Sequence, residues 1–306
     1  MKFTFPEYAR LRKVMVHSPG AELGLITARN FRRFLFEDAI DPGAFREQHQ
    51  NFVNLLRTEG VDVVPLTGLL PENEAHAERI AKSPNLVYMR DTVVVTAHGY
   101  IKMRMNSAAR RMEPEIADLA MRLQGLRTLA RVASPATMEG GDLIFLDEET
   151  LMVGVGNRTS MSALDGLRTA TRPLGLHRVI AVKLPPSVIH LDGTMMILDR
   201  DLAIAHSGSL TEPAISFTGG RSKRLRVVKF LKKAGFRVVE VTDYERKRRA
   251  TNLVTLGPRK VIGYGGNTRV KRELERDGVD FIEFDGSELI RGGGGPRCMT
   301  APITRD

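Results

Sequence analysis

The chain has 306 residues, 42% hydrophobic and 27% charged, an ordinary globular balance that excludes disordered and fibrous classes. A lone cysteine, Cys298, excludes a disulfide framework and a cysteine-rich zinc site. Basic residues outnumber acidic ones 46 to 36, giving a net charge of +10. The excess reads as dispersed: its densest runs, Arg221–Arg226 and Arg246–Arg249, fall in stretches that look like helix and loop, and there is no tryptophan to stack on bases. A solvated basic face is expected, and a nucleic-acid partner is disfavoured. No apolar run approaches the roughly 20 residues of a membrane helix. The first residues, Met1-Lys2-Phe3-Thr4-Phe5-Pro6, lack a signal-peptide pattern, so a cytoplasmic protein without membrane attachment is expected.

Five helix–glycine–strand stretches follow along the chain. The first is Phe45–Leu56, Gly60 and Val61–Pro65; the second is Glu115–Leu123, Gly125 and a weaker strand at Arg131-Val132. The third is Ser162–Arg172, Gly175 and Val179–Val182; the fourth is Lys223–Lys233, Gly235 and Val238–Val241. The fifth is Val270–Arg276, Gly278 and Val279–Glu283. In each, glycine can supply the left-handed cap that turns a helix into the next strand. Between them lie paired β-rich runs: Val93–Thr96 with Gly99–Met103, Leu143–Phe145 with Leu151–Val155, and Thr194–Leu198 with Leu202–Ala205. The last two pairs are joined by polar turns suited to hairpins, Asp147-Glu148-Glu149 and Asp199-Arg200-Asp201. A strand–strand–helix–strand unit of about 60 residues is too long for a helical solenoid and suits a closed ring of modules. The expected fold is α/β, a pseudo-fivefold ββαβ propeller forming a single domain over residues 1–306, with loops of several units converging on its axis.

Four segments break the apolar pattern, each beside a hairpin strand: Asn85–Asp91, Met138–Asp142, His190–Gly193 and Arg291–Thr300. Taken together, Arg90-Asp91, Glu139-Gly140-Gly141-Asp142, His190-Leu191-Asp192 and Cys298-Met299-Thr300 resemble the signature of the guanidine-modifying enzymes. These are the arginine deiminases, dimethylarginine dimethylaminohydrolases and amidinotransferases. The resemblance runs from about residue 85 to the C-terminus. It implies a five-bladed propeller of the pentein type, the architecture that the repeat suggests independently.

The chemistry explains the grouping. A guanidinium is a planar cation whose N–H donors suit paired carboxylates, here Asp91 and Asp192. The Cys298 thiolate would attack its central carbon to form a covalent thiouronium. The loop glycines and Arg297 beside Cys298 would favour that thiolate. His190, two residues before Asp192 on an extended segment, would project to the same side and move protons. By the resemblance, Glu139 would orient the imidazole. Arg90 could pair with a carboxylate or brace the loop.

For the far end of the substrate, the resemblance to arginine deiminases assigns Asn85, Arg110 and Arg158 to an α-carboxylate. A further pre-cysteine arginine of bacterial deiminases is replaced here by Gly293, and Arg297 is expected to compensate. The length departs from that of full-length deiminases, which carry an additional helical insertion.

The function expected is a thiol-dependent amidinohydrolase that converts L-arginine or a close guanidino amino acid to citrulline and ammonia. It would need neither cofactor nor metal. Alternatives are dimethylarginine hydrolysis, an ornithine-forming arginine dihydrolase, and amidino transfer; outside enzymes, a non-catalytic polyanion-binding protein. The sequence leaves open the oligomeric state, a homo-oligomer included.

Overall fold

Gly60, Gly125, Gly175, Gly235 and Gly278, the five expected helix-ending glycines, all take positive φ, between 75° and 106°. In that left-handed region a Cβ is unfavourable, which fixes where each helix gives way to its strand. The structure, a computed structural model, describes residues 2–306.

The chain begins with β1 (Leu11–Val16), α1 (Pro42–Thr58), β2 (Asp62–Pro65) and a short α2 (Glu74–Ala81). Three full units follow. The first comprises β3 (Val93–Thr96), β4 (Gly99–Lys102), α3 (Glu113–Leu123) and β5 (Thr128–Arg131). The second comprises β6 (Leu143–Phe145), β7 (Thr150–Val155), α4 (Met161–Thr171) and β8 (Arg178–Lys183). The third has β9 (Met195–Asp199) and β10 (Leu202–Ala205), an added hairpin of β11 (Ala214–Thr218) and β12 (Arg221–Leu225), then α5 (Val227–Lys233) and β13 (Arg237–Glu240). After α6 (Asp243–Lys247) come β14 (Val254–Gly257), β15 (Lys260–Tyr264), α7 (Thr268–Arg276), β16 (Asp280–Phe284) and the last strand, β17 (Ala301–Arg305).

Each unit pairs its first two strands antiparallel and its second and third parallel, as in β3–β4–β5 and β14–β15–β16. The fifth blade joins the two chain ends: β17 pairs antiparallel with β1, which pairs parallel with β2. That pairing gives the ring its fifth blade. The blade helices α1, α3, α4, α5 and α7 bury apolar side chains against their neighbours; in α1 the buried residues are Phe45, His49, Phe52, Val53 and Leu56.

One expected helix is corrected. Lys223–Lys233 splits into strand β12 and helix α5. Gly219 and Gly220 both take positive φ, at 56° and 83°. They form a two-residue turn of the kind that matches strand twist and folds β12 back on β11. β11 in turn pairs with β8, so this sheet has five strands where the others have three. No helix among the described residues is long and apolar enough to cross a membrane.

Candidate active site

Every first strand of a unit is preceded by a polar residue at the same end of the ring. Asp91 precedes β3, Glu139 precedes β6, His190 and Asp192 precede β9, and Cys298 precedes β17. The fourth unit contributes Asn252, two residues before β14, which the sequence reading missed. Its signal was positional: it occupies the place in its unit that Asp91 occupies in another. Nothing in its local sequence marks it.

Asn252 holds the nucleophile candidate. Its Nδ2 donates to Cys298 Sγ at 3.2 Å, and its Oδ1 accepts from the Cys298 backbone N–H at 3.2 Å. Cys298 Sγ also lies 3.7 Å from Asp192 Oδ2. Burial pushes the thiol well above its ordinary pKa, and the Asp192 and Asp91 carboxylates push it further. In the unliganded site it is therefore a neutral thiol, contrary to the expectation that Arg297 and open backbone favour a thiolate.

His190 Nε2 donates to Glu139 Oε2 at 2.8 Å, and its Nδ1 lies 3.7 Å from Asp91 Oδ1. Burial alone would lower the imidazole pKa, but Asp91, Glu139 and Asp142 outweigh it and hold it at about 10. His190 is an imidazolium at neutral pH. Against the pull of burial, the same interaction holds Glu139 below its usual value, as His190 and Arg110 do for Asp91. Asp142 accepts from Leu191 N–H at 3.0 Å and from Thr159 Oγ1 at 2.6 Å, and so fixes the histidine segment. At Gly141 an added Cβ would lie 2.7 Å from His190 Nδ1 and 2.9 Å from Asp91 Oδ1, so only glycine lets the backbone pass.

Asp91 accepts from Gly141 N–H at 3.0 Å on Oδ1 and from Arg110 Nη1 at 2.6 Å on Oδ2. Arg110 is buried and also pairs with Glu113 at 2.8 Å. Burial raises the Glu113 carboxyl to about 8 despite that partner. Arg158 is more open and faces Glu139 Oε2 at 3.4 Å. Asn85 donates to the Phe34 carbonyl at 2.7 Å, while its own carbonyl accepts from Arg110 at 3.4 Å. Arg110, Arg158 and Asn85 are thus held among the acidic residues and their supporting loops.

Arg297 is placed differently from the expectation. It is 1% exposed, and donates to Asp192 Oδ2 at 2.9 Å, to Glu7 at 2.8 Å and to the Leu143 carbonyl at 2.8 Å. It fixes Asp192 from within the fold, with both terminal nitrogens engaged by protein acceptors. Glu7, held at about pKa 2 because Arg297 and Arg90 outweigh its burial, completes that pair. It lies far upstream of the four motif segments, where no sequence signal pointed. Arg90 donates to Thr300 Oγ1 at 3.1 Å and approaches the Arg297 carbonyl at 3.5 Å, while its backbone N–H donates to the Cys298 carbonyl at 3.0 Å. It braces the cysteine loop.

Asp91, Glu139 and His190 also bring potential ligand atoms within 4.8 Å of one another, a grouping their sequence spacing does not reveal. The charges favour an imidazolium there over a divalent ion, because Arg110 and Arg158 already neutralise the same carboxylates.

The family model for arginine deiminase matches residues 32–83 and 77–305. An arginine deiminase of Mycoplasma capricolum is 27% identical over 389 residues, covering 99% of this chain and 96% of the relative. An uncharacterised protein of Bacillus subtilis, YkgA, is 27% identical over 299 residues, covering 98% and 94%. The alignment to the deiminase is longer than this chain, so that relative carries segments absent here; the two family matches overlap at 77–83, within α2 and the turn after it. Among solved structures, a cysteine-to-serine variant of the Pseudomonas aeruginosa dimethylarginine dimethylaminohydrolase, complexed with citrulline, superposes with TM-score 0.75 at 21% identity. That likeness covers 96% of this chain and all of that one. The N-terminal domain of ArgZ, a cyanobacterial arginine dihydrolase, gives TM-score 0.74 at 15% identity, covering 96% and 97%. These two likenesses establish the shared propeller fold. With a family match running from residue 32 to 305, the chain belongs to the arginine deiminase family.

Proposed function

We propose that the protein hydrolyses the guanidinium of L-arginine, giving citrulline and ammonia through a covalent adduct on Cys298. The observation that carries this reading is the grouping of Cys298 Sγ, Asp192, Asp91 and the His190–Glu139 pair at one end of the ring. Membership of the arginine deiminase family supports the substrate class.

A carboxylate oxygen accepts about two hydrogen bonds. Asp91 spends one acceptor position of each oxygen on Gly141 and Arg110, which leaves one on each for a guanidinium. Asp192 engages Arg297 through Oδ2, and its Oδ1 accepts nothing among the described residues. The arriving cation lies beside the thiol and lowers its pKa, so the proton leaves to solvent as the substrate binds. Sγ then bonds to the guanidinium carbon. His190 gives its proton to one terminal nitrogen, the C–N bond breaks, and ammonia departs from a thiouronium. The now neutral His190 takes a proton from water, whose oxygen bonds to the same carbon. Collapse of this adduct breaks the C–S bond; the hydroxyl proton passes to the departing sulfur and restores the thiol, leaving the ureido group of citrulline. The proton released to solvent on binding is matched by protonation of the departed ammonia.

The test is product analysis with L-arginine for the wild type and Cys298→Ser. Citrulline and ammonia from the wild type alone are expected. Ornithine with extra ammonia would replace this reaction with dihydrolysis, and dimethylamine released from dimethylarginine would replace the substrate. Turnover only with an added acceptor amine would make the protein an amidinotransferase. An active Cys298→Ser variant would overturn the thiol mechanism.

A further inference from the structure

The positive charge that the sequence shows as dispersed is gathered by the fold. Beneath the added hairpin lies an open trough of about 1180 Å³ between the five-stranded sheet and α5. Seven cationic side chains line it: Arg178 from β8, Arg221, Lys223 and Arg224 from β12, Arg226 at the joint, and Lys229 and Lys233 from α5. All are exposed, and none has a carboxylate within 4.0 Å among the described residues. No acidic residue lines the trough. For a chain of net charge +10, this one feature concentrates seven cations in a single place.

The register orders these charges. Thr218 pairs with both Arg178 and Arg221, and Ser216 pairs with Lys223. These rows sit about 7 Å apart on one face of the sheet, with Ser216 and Thr218 offering hydroxyl donors on its floor. Cations on an edge strand often serve only to block edge-to-edge pairing. That reason covers β12, but not Arg178 on an inner strand or Lys229 and Lys233 on a helix turned to the same space. The hairpin is also the element that breaks the fivefold repeat, and none of its residues belongs to the candidate active site.

We propose that this trough binds the phosphate backbone of a nucleic acid, without reading its bases. A linear chain of phosphates matches rows of unpaired cations and hydroxyl donors. One partly buried aromatic residue, Phe230, lines the trough, so base stacking contributes little. A membrane surface is disfavoured because the exposed large apolar residues, among them Leu25, Met112 and Ile189, lie elsewhere. An acidic peptide is disfavoured because only Leu225 and Phe230 among the lining residues offer apolar side chains to anchor it.

The experiment is fluorescence anisotropy with a labelled single-stranded RNA of twenty nucleotides, titrated at several salt concentrations. At about 0.7 counterions released per contacted phosphate, five to seven contacts give a log–log salt slope of about −4. Arg221→Glu/Lys223→Glu/Arg224→Glu and, separately, Lys229→Glu/Lys233→Glu should each weaken binding by about 100-fold or more. Arg57→Glu/Arg272→Glu/Arg276→Glu, which reverses exposed cations elsewhere, should change it less than threefold. Circular dichroism melting checks that each variant is folded; the strand and helix variants are independent, so misfolding of one leaves the other decisive. Absence of wild-type binding at low salt, equal weakening by the distant variant, or tighter binding of polyglutamate than of RNA would each overturn the proposal. None of these outcomes depends on guanidine turnover.

Discussion

At the scale of single residues, Asn252 donates to the sulfur that must carry negative charge during the reaction. A hydrogen bond to a charged group contributes about 1.5–3 kcal/mol. Asn252→Ala should therefore slow arginine turnover by about 10- to 150-fold and move alkylation of Cys298 to higher pH; turnover within threefold of wild type and an unmoved alkylation profile would show that the bond does nothing for the thiolate. Because burial and two carboxylates raise the thiol pKa, iodoacetamide should label the unliganded protein near neutral pH more slowly than it labels free cysteine. His190 carries a linked stability prediction. Its pKa rises from an ordinary 6.5 to about 10 in the fold, so its contribution is complete below 6.5 and lost as pH climbs through 10. The melting temperature should fall across that window, and the fall should flatten in Glu139→Gln, which removes a carboxylate that holds the proton. An equally steep fall in that variant would assign the pH dependence to other groups.

At the scale of elements, two glycines make opposite predictions. Gly60 ends α1 with φ at +77°, so Gly60→Ala should destabilise the fold by about 1 kcal/mol through backbone strain. Gly166 lies inside α4, where an added Cβ meets nothing within 4 Å. Gly166→Ala should stabilise by about 0.5–1 kcal/mol, the helix-propensity difference. Chemical denaturation reads both, and shifts of the same sign would undo the account of how helices pass into strands. The capping glycines were legible because each must follow its helix and precede its strand. Helix α5 was misread because Lys, Arg and Leu suit a helix surface and an edge strand alike. What decided the outcome was the Gly219-Gly220 turn and the pairing of β11 with β8, a contact made with a strand more than thirty residues upstream.

At the scale of the whole molecule, the N-terminal segment laces the ends of the inner strands remote from the site. Phe3 bonds to Glu148 and Ala97, and Glu7 N–H donates to the Phe145 carbonyl. With β17 bonded to β1, the chain ends interlock. We propose that residues 1–306 form one cooperative unit, so calorimetry should show one transition with matching calorimetric and van't Hoff enthalpies; two separable transitions would divide the chain. The amino-acid sequence by itself determined the repeat, the five capping glycines, and the candidate polar residues Asp91, Glu139, His190, Asp192 and Cys298, because periodicity, glycine caps and motif chemistry are local or recur at fixed spacing. Only the tertiary structure decided that Asn252 is the fourth unit's contribution, that Arg297 is locked between Glu7 and Asp192, that Cys298 rests as a thiol, and that scattered cations share one trough. Those properties depend on burial and on distances between segments remote along the chain, which exist only once the ring has closed.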